Sequence, residues 1–117
     1  LSQAECDVLD ERERQRVVEG WTPEHDDKHR RGELAMAAVT YGTNATVIAR
    51  LLADGFTLPK IDEMSRRASV PGTWPFDREW WKPKGQRRNL VVAAALLLAE
   101  IERIDRADAR KAASAVL

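Results

Sequence analysis

The chain has 117 residues, a length that suits one compact domain over 1–117. Hydrophobic residues make up 44% and charged residues 32%, a globular balance; basic and acidic residues number 19 each, so the global basic field of a dedicated duplex-DNA binder is missing. Cys6 is the only cysteine, which rules out an intrachain disulfide and a cysteine-based zinc site and fits a reducing cytoplasm.

Residues 2–19 are predicted to form a helix. Ser2 and Glu5 make the S-x-x-E pattern of a capping box, and Gly20 is a stop signal. Its middle, DERERQR, is polar with mixed signs and reads as a solvated face; Val8, Leu9, Val17 and Val18 supply a thin apolar side. Thr22-Pro23 resembles an N-cap and first helical position, and Asp26 or Asp27 is an alternative cap for a helix running to Tyr41. Leu34, Ala38 and Tyr41 share a face of that helix, and Gly42 is the expected C-terminal cap. A third, short helix is expected over 44–54, with Val47, Ile48, Leu51 and Leu52 in i, i+4 pairs and Gly55 ending it.

Residues 56–85 read as a long irregular connection with a short helix at 60–67, and connections of this length are often functional. The last helix is expected from Gln86 to about Ala113. Leu90, Ala94, Leu97, Ile101 and Ile104 form one stripe, which Val91, Val92, Leu96 and Leu98 widen to nearly the whole circumference. A helix that apolar belongs at the centre of a core or in an oligomer interface. With few other apolar segments to surround it, a homo-oligomer is expected, a symmetric dimer first among them. The apolar run LVVAAALLLA is too short to span a bilayer, and the opening residues do not read as a secretory signal. No strand alternation or internal repeat is visible. The expected fold class is therefore all-α, a compact bundle of about four main helices.

Two constellations carry candidate chemistry. WPFDREWWKPKGQRRN, residues 74–89, holds Trp74, Trp80 and Trp81 beside Lys82, Lys84, Arg87 and Arg88. Aromatic faces stack on bases, and arginine or lysine takes phosphate. Arg87 and Arg88 open the last helix, where free N–H groups favour an anion but cations oppose the dipole; a bound anion, or acids such as Asp26 and Asp27, would offset this. The plainer alternative is a loop pinned to the core by tryptophan, its basic side chains in water.

The second constellation is EHDDKH with Glu33. Glu24, His25, Asp26, Asp27, His29 and Glu33 are all metal-capable, and His25/His29 and His29/Glu33 are i, i+4 pairs. Acids near a helix start are equally explained by capping and the dipole. Two histidines are too few for an HD-type phosphohydrolase. The chain has no glycine-flanked serine elbow and no glycine-rich phosphate loop, and Cys6 lies in a charged helix. Glu102 and Asp105 read as a solvated edge.

The phrases ERERQRVVEGWTPEHDD, GELAMAAVTY, WPFDREWWKPK and RRNLVVAAALLLAEIERIDR, over roughly 10–106, resemble a family of small phage and prophage proteins. Members of that family look like accessory genes, so the resemblance implies a role in phage–host conflict inside a bacterial host's cytoplasm. The chain is more distantly similar to the MazG-like nucleoside triphosphate pyrophosphohydrolases, small all-α oligomers. Arg14-Gln15, Trp21, His25, GEL and the last helix follow that family's order. Its acids do not: His29, Arg30, Asn89 and Val92 stand where the family has acidic residues, and only Glu33 survives. One carboxylate cannot hold a hard dication between acids.

The resemblance thus implies a nucleotide-sized pocket without the reaction. The expected protein binds a nucleotide or nucleotide-derived signal and blunts a host defence, without a cofactor. Trp21, His25, Trp74, Trp80 and Trp81 would contact the ligand, and Lys82, Lys84, Arg87 and Arg88 would take phosphate. Two alternatives stay open. One is a magnesium-dependent pyrophosphohydrolase using Glu24, Asp26, Asp27 and Glu33, with His29 a further metal candidate. The other is an inhibitor that binds a host defence protein through exposed tryptophans.

Overall fold

The computed structural model describes residues 1–116. Five helices follow one another: α1 (Gln3–Val17), α2 (Pro23–Asp26), α3 (Glu33–Ala53), α4 (Leu58–Arg67) and α5 (Gln86–Val116), with a 3₁₀ turn at Arg78–Trp80. No strand occurs among the described residues, so the fold is all-α. No helix among them is long and apolar enough to cross a membrane.

The expected capping box opens α1. Ser2 Oγ accepts from the Glu5 N–H at 3.0 Å, and Glu5 Oε1 accepts from the Ser2 N–H at 2.9 Å. The reading of its polar middle as solvated holds for Asp10, Glu13 and Arg16 and fails for Glu11 and Gln15. Glu11 and Gln15 are buried at 2% and 0% exposure, while Leu9, Val17 and Val18 face water. One turn apart, Glu11 and Gln15 make the inward face of α1, and arginines rather than apolar side chains complete it. Hydrophobic periodicity is blind to a helix that buries a polar face.

Thr22 caps α2, its Oγ1 accepting from the His25 N–H at 3.3 Å, with Pro23 at the first position. This helix is a single turn. The helix expected to start near Asp26 starts instead at Glu33, because the chain bends at Gly32, whose φ of 82° lies in the left-handed region.

Gly42 does not end a helix. The two helices expected on either side of it are one, α3, running unbroken to Ala53. A mid-helix glycine costs about 1 kcal/mol. Burial of Leu34, Ala37, Ala38, Tyr41, Ala45 and Ile48 along one continuous face offsets it. The stop is Gly55, at φ 92°. In α4, capped by Thr57, Ile61 is the buried residue.

The core lies mainly between α3 and α5, with α1 on another flank of α5. Leu34, Ala37, Ala38 and Tyr41 of α3 meet Ala93, Leu96 and Ala99 of α5, and Trp74 from the connection closes the cluster. The alanines allow the two helices to approach closely. The face α5 buries is not the predicted stripe. It buries Val91, Ala93, Ala95, Leu96 and Ala99 and leaves Leu90, Leu97, Ile101 and Ile104 between 43% and 55% exposed.

Candidate functional site: a cleft between the tryptophan connection, α1 and α5

Residues 68–85 are pinned to α3 and α5 by polar contacts that loops rarely bury. Thr73 Oγ1 meets Thr40 Oγ1 at 2.8 Å. The Tyr41 hydroxyl accepts from the Lys82 N–H at 3.3 Å. Asn89, fully buried, accepts from the Lys84 N–H at 2.7 Å and donates to Asn44 Oδ1 at 2.8 Å. Asn89 thus serves as an anchor for the turn into α5. These bonds tie the connection to α3 and α5 at both of its ends.

The tryptophans then divide. Trp74 is 8% exposed and donates its Nε1–H to the Asp77 carbonyl at 3.0 Å. It sits edge-on to Tyr41 and Phe76, and Trp81 packs at 4.7 Å from the Tyr41 ring. Trp74 belongs to the core, while Trp81 is half-buried against it and lines a different groove, beside Ile48 and Ile61. Trp80 is 39% exposed, with the Lys82 ammonium 5.6 Å from its ring centre. Trp21 is half-buried and lies nearly parallel to His25, at 7° and 6.0 Å. His25 meets His29 at 4.8 Å, and His29 meets Phe76 at 5.1 Å.

Two neighbouring clefts share Trp21, Trp80 and Glu19. One, of about 470 Å³, is walled by His25, His29 and Phe76. The other, of about 350 Å³, brings together Trp21, Tyr41 and Trp80 with Arg14, Lys82, Lys84 and Arg88, and has Glu11 and Gln15 in its lining. It is the only one of the two with cations in its wall.

The charges there are unequally committed. Arg14 holds Glu11 Oε1 at 2.7 Å and Glu19 at 2.8 Å, and Arg88 also pairs with Glu11. Burial pushes the Glu11 carboxyl up, but Arg14 and Arg88 outweigh it and hold the group below the usual carboxylate range. Burial raises the Tyr41 hydroxyl. Lys82 and Lys84 form no ion pair among the described residues, so they carry the cleft's uncompensated positive charge. Gln15 adds an acceptor: its Nε2 donates to Glu11 Oε2 at 3.1 Å, and its Oε1 is buried with no partner among the described residues.

Arg87 does not join this set. It pairs with Asp7 at 2.8 Å and lines a different cleft of about 380 Å³, whose wall also includes Arg14, Arg88 and Glu11. Acids from another segment do offset the cations opening α5, but they are Asp7 and Glu11 rather than Asp26 and Asp27. Asp26 is fully buried and pairs with Arg12 at 2.8 Å and His25 Nδ1 at 3.0 Å. Asp27 holds Arg106 and Arg110, which keep its carboxyl below the usual range. His29 faces Glu33 at 3.4 Å, and Glu24 is exposed. Among the described residues, no three histidine, cysteine or acidic side chains come together as a metal site, so the metal-capable cluster is divided among ion pairs.

Sequence reasoning did not single out Tyr41, Glu19 or Arg14 as site residues. Gln15 entered only through the R-x-R-Q resemblance. The chain matches no family model, and neither a curated protein nor a solved structure matches it.

Proposed function

We propose that the cleft between Trp21, Trp80 and the start of α5 binds a nucleotide or nucleotide-like anion and does not turn it over. The observation that carries this reading is one juxtaposition: three aromatic rings, two lysines outside any ion pair among the described residues, and Gln15, whose buried amide oxygen has no partner among them, belong to the lining of a single cavity of about 350 Å³. Trp80, the more exposed ring, offers its face to a base, with Trp21 across the shared wall. Lys82, Lys84 and Arg88 meet phosphate oxygens. Gln15 Oε1, a buried acceptor without a partner among the described residues, takes a base N–H. Trp74 and Trp81 support the wall, and His25 stands in the neighbouring cleft as a continuation of the aromatic surface.

The acids support the non-catalytic half of this reading. Every carboxylate lining the cleft is already held by arginine, so none is free to bind magnesium or activate water. The likeness to phage accessory proteins supports placing this binding in phage–host conflict, where holding a nucleotide signal would blunt a defence.

Calorimetry against nucleoside mono-, di- and triphosphates and cyclic nucleotides tests the binding. Saturable binding by at least one, weakened at least ~10-fold in a Lys82→Ala/Lys84→Ala double variant, is expected. A panel with no binder sinks the reading. Release of pyrophosphate from nucleoside triphosphates with magnesium would overturn its non-catalytic half.

A further inference from the structure

One apolar face of α5 is left about half exposed. Leu90, Leu97, Ile101 and Ile104 are 49%, 46%, 55% and 43% exposed, and with Ala94 they repeat at alternating steps of four and three residues. That spacing draws a straight apolar seam along a helix, the pattern two helices need to pack side by side. Scattered apolar residues at a surface are ordinary, but a continuous seam of this kind marks an interaction surface. α5 has the length to present it: its 31 residues span about 46 Å at 1.5 Å per residue.

The charges at the two ends of the seam indicate what covers it. Continuing the same spacing one step towards the N-terminus reaches Arg87, whose side chain is 62% exposed even with Asp7 beside it. One step towards the C-terminus reaches Asp108, which is exposed, with exposed Asp105 nearby. The seam is therefore apolar along its middle, with Arg87, paired with Asp7, at one end and Asp105 and Asp108 at the other, ahead of the exposed Lys111 one step further on. Two copies laid antiparallel bring the Arg87 end of each over the Asp105–Asp108 end of the other. Laid parallel, they set like charge on like charge at both ends. The antiparallel arrangement also aligns the helix dipoles favourably and has the two-fold symmetry of a self-complementary patch.

We propose that this seam is the interface of an antiparallel, two-fold dimer in which α5 pairs with α5 of a second copy. Leu90 lies near Ile101 of the second copy, and Ala94 lies near Leu97. Arg87 reaches the acidic end. The proposal is independent of the nucleotide reading, since none of the seam residues lines the cleft.

Light scattering on the eluting protein is expected to give twice the chain mass of 13.2 kDa, falling to one chain mass in a Leu97→Lys/Ile101→Lys variant with unchanged helical circular dichroism. These side chains are exposed, so the variant keeps its core. Orientation is read by oxidative cross-linking in a Cys6→Ser background. Mixing Leu90→Cys protein with Ile101→Cys protein is expected to give a cross-linked heterodimer, and Ile104→Cys protein alone is not expected to cross-link. A monomer at every concentration up to the solubility limit overturns the proposal. Cross-linking of Ile104→Cys to itself overturns the antiparallel arrangement, and a dimer that survives Leu97→Lys/Ile101→Lys overturns the seam.

Discussion

Gln15 and Glu11 sit one turn apart on α1, both buried, with the Gln15 amide nitrogen 3.1 Å from a Glu11 carboxylate oxygen. This fixes the amide. Flipped, it would set its own oxygen against a carboxylate that can only accept. Gln15 therefore keeps Oε1 as a buried acceptor with no partner among the described residues, beside the cleft.

A ligand that offers an N–H to Gln15 gains a hydrogen bond that the fold itself leaves unmade. Gln15→Leu is expected to keep the fold and to weaken nucleotide binding about 5–30-fold, the effect of one hydrogen bond of ~1–2 kcal/mol. Calorimetry on the folded variant checks this. Unchanged affinity would remove Gln15 from the site.

The Glu11 carboxylate makes the fold acid-sensitive. Its pKa is lower folded than unfolded, because Arg14 and Arg88 outweigh burial. Such a group stabilises the fold at neutral pH, and its contribution is lost as pH falls through the ordinary carboxylate value of ~4.3 towards the depressed one. Urea unfolding midpoints are expected to drop below about pH 4.5. In Glu11→Gln the drop should be shallower, although Asp27 shifts in the same direction and keeps part of it. An unchanged slope in that variant would contradict the assignment.

Trp74 and Trp80 are expected to behave oppositely. Trp74→Ala empties a core position that contacts Tyr41, Phe76 and Trp81, at about 3–5 kcal/mol. Trp80→Ala touches little of the core and should change stability by under ~1 kcal/mol, yet weaken ligand binding by the ~1–3 kcal/mol of one stacked base. Thermal melts paired with calorimetry separate the two. Equal losses of stability would place both in the core.

Asp27 ties the turn after α2 to the far half of α5 through Arg106 and Arg110. Asp27→Ala is expected to speed amide hydrogen exchange across residues 103–113 while leaving 89–99, held by the core, protected. Faster exchange over the whole helix would mean that the tether acts on global stability instead.

Much of the helical outline was legible in the residues themselves. Ser2 with Glu5, Thr22 before Pro23, and Gly55 act through hydrogen bonds and dihedral limits within a few residues, and those local signals keep their meaning in any fold. Gly42 has the same local signal as Gly55 but sits beside a face where Tyr41 and Ala45 are buried against α5, so packing carries the helix through it. The basic and aromatic composition of the site was equally visible in residues 74–89.

The sequence by itself determined an all-helical chain, several of its end caps, and which segment would bring tryptophan and lysine together, because these rest on local sterics and side-chain type. Only the tertiary structure decided that Glu11 and Gln15 point inward, that Asp26 and Asp27 serve arginines, that Arg88 faces the cleft and Arg87 does not, and which side of α5 is covered. Each of those depends on a partner many residues away. A charged side chain carries no mark of its own to say whether an opposite charge will meet it.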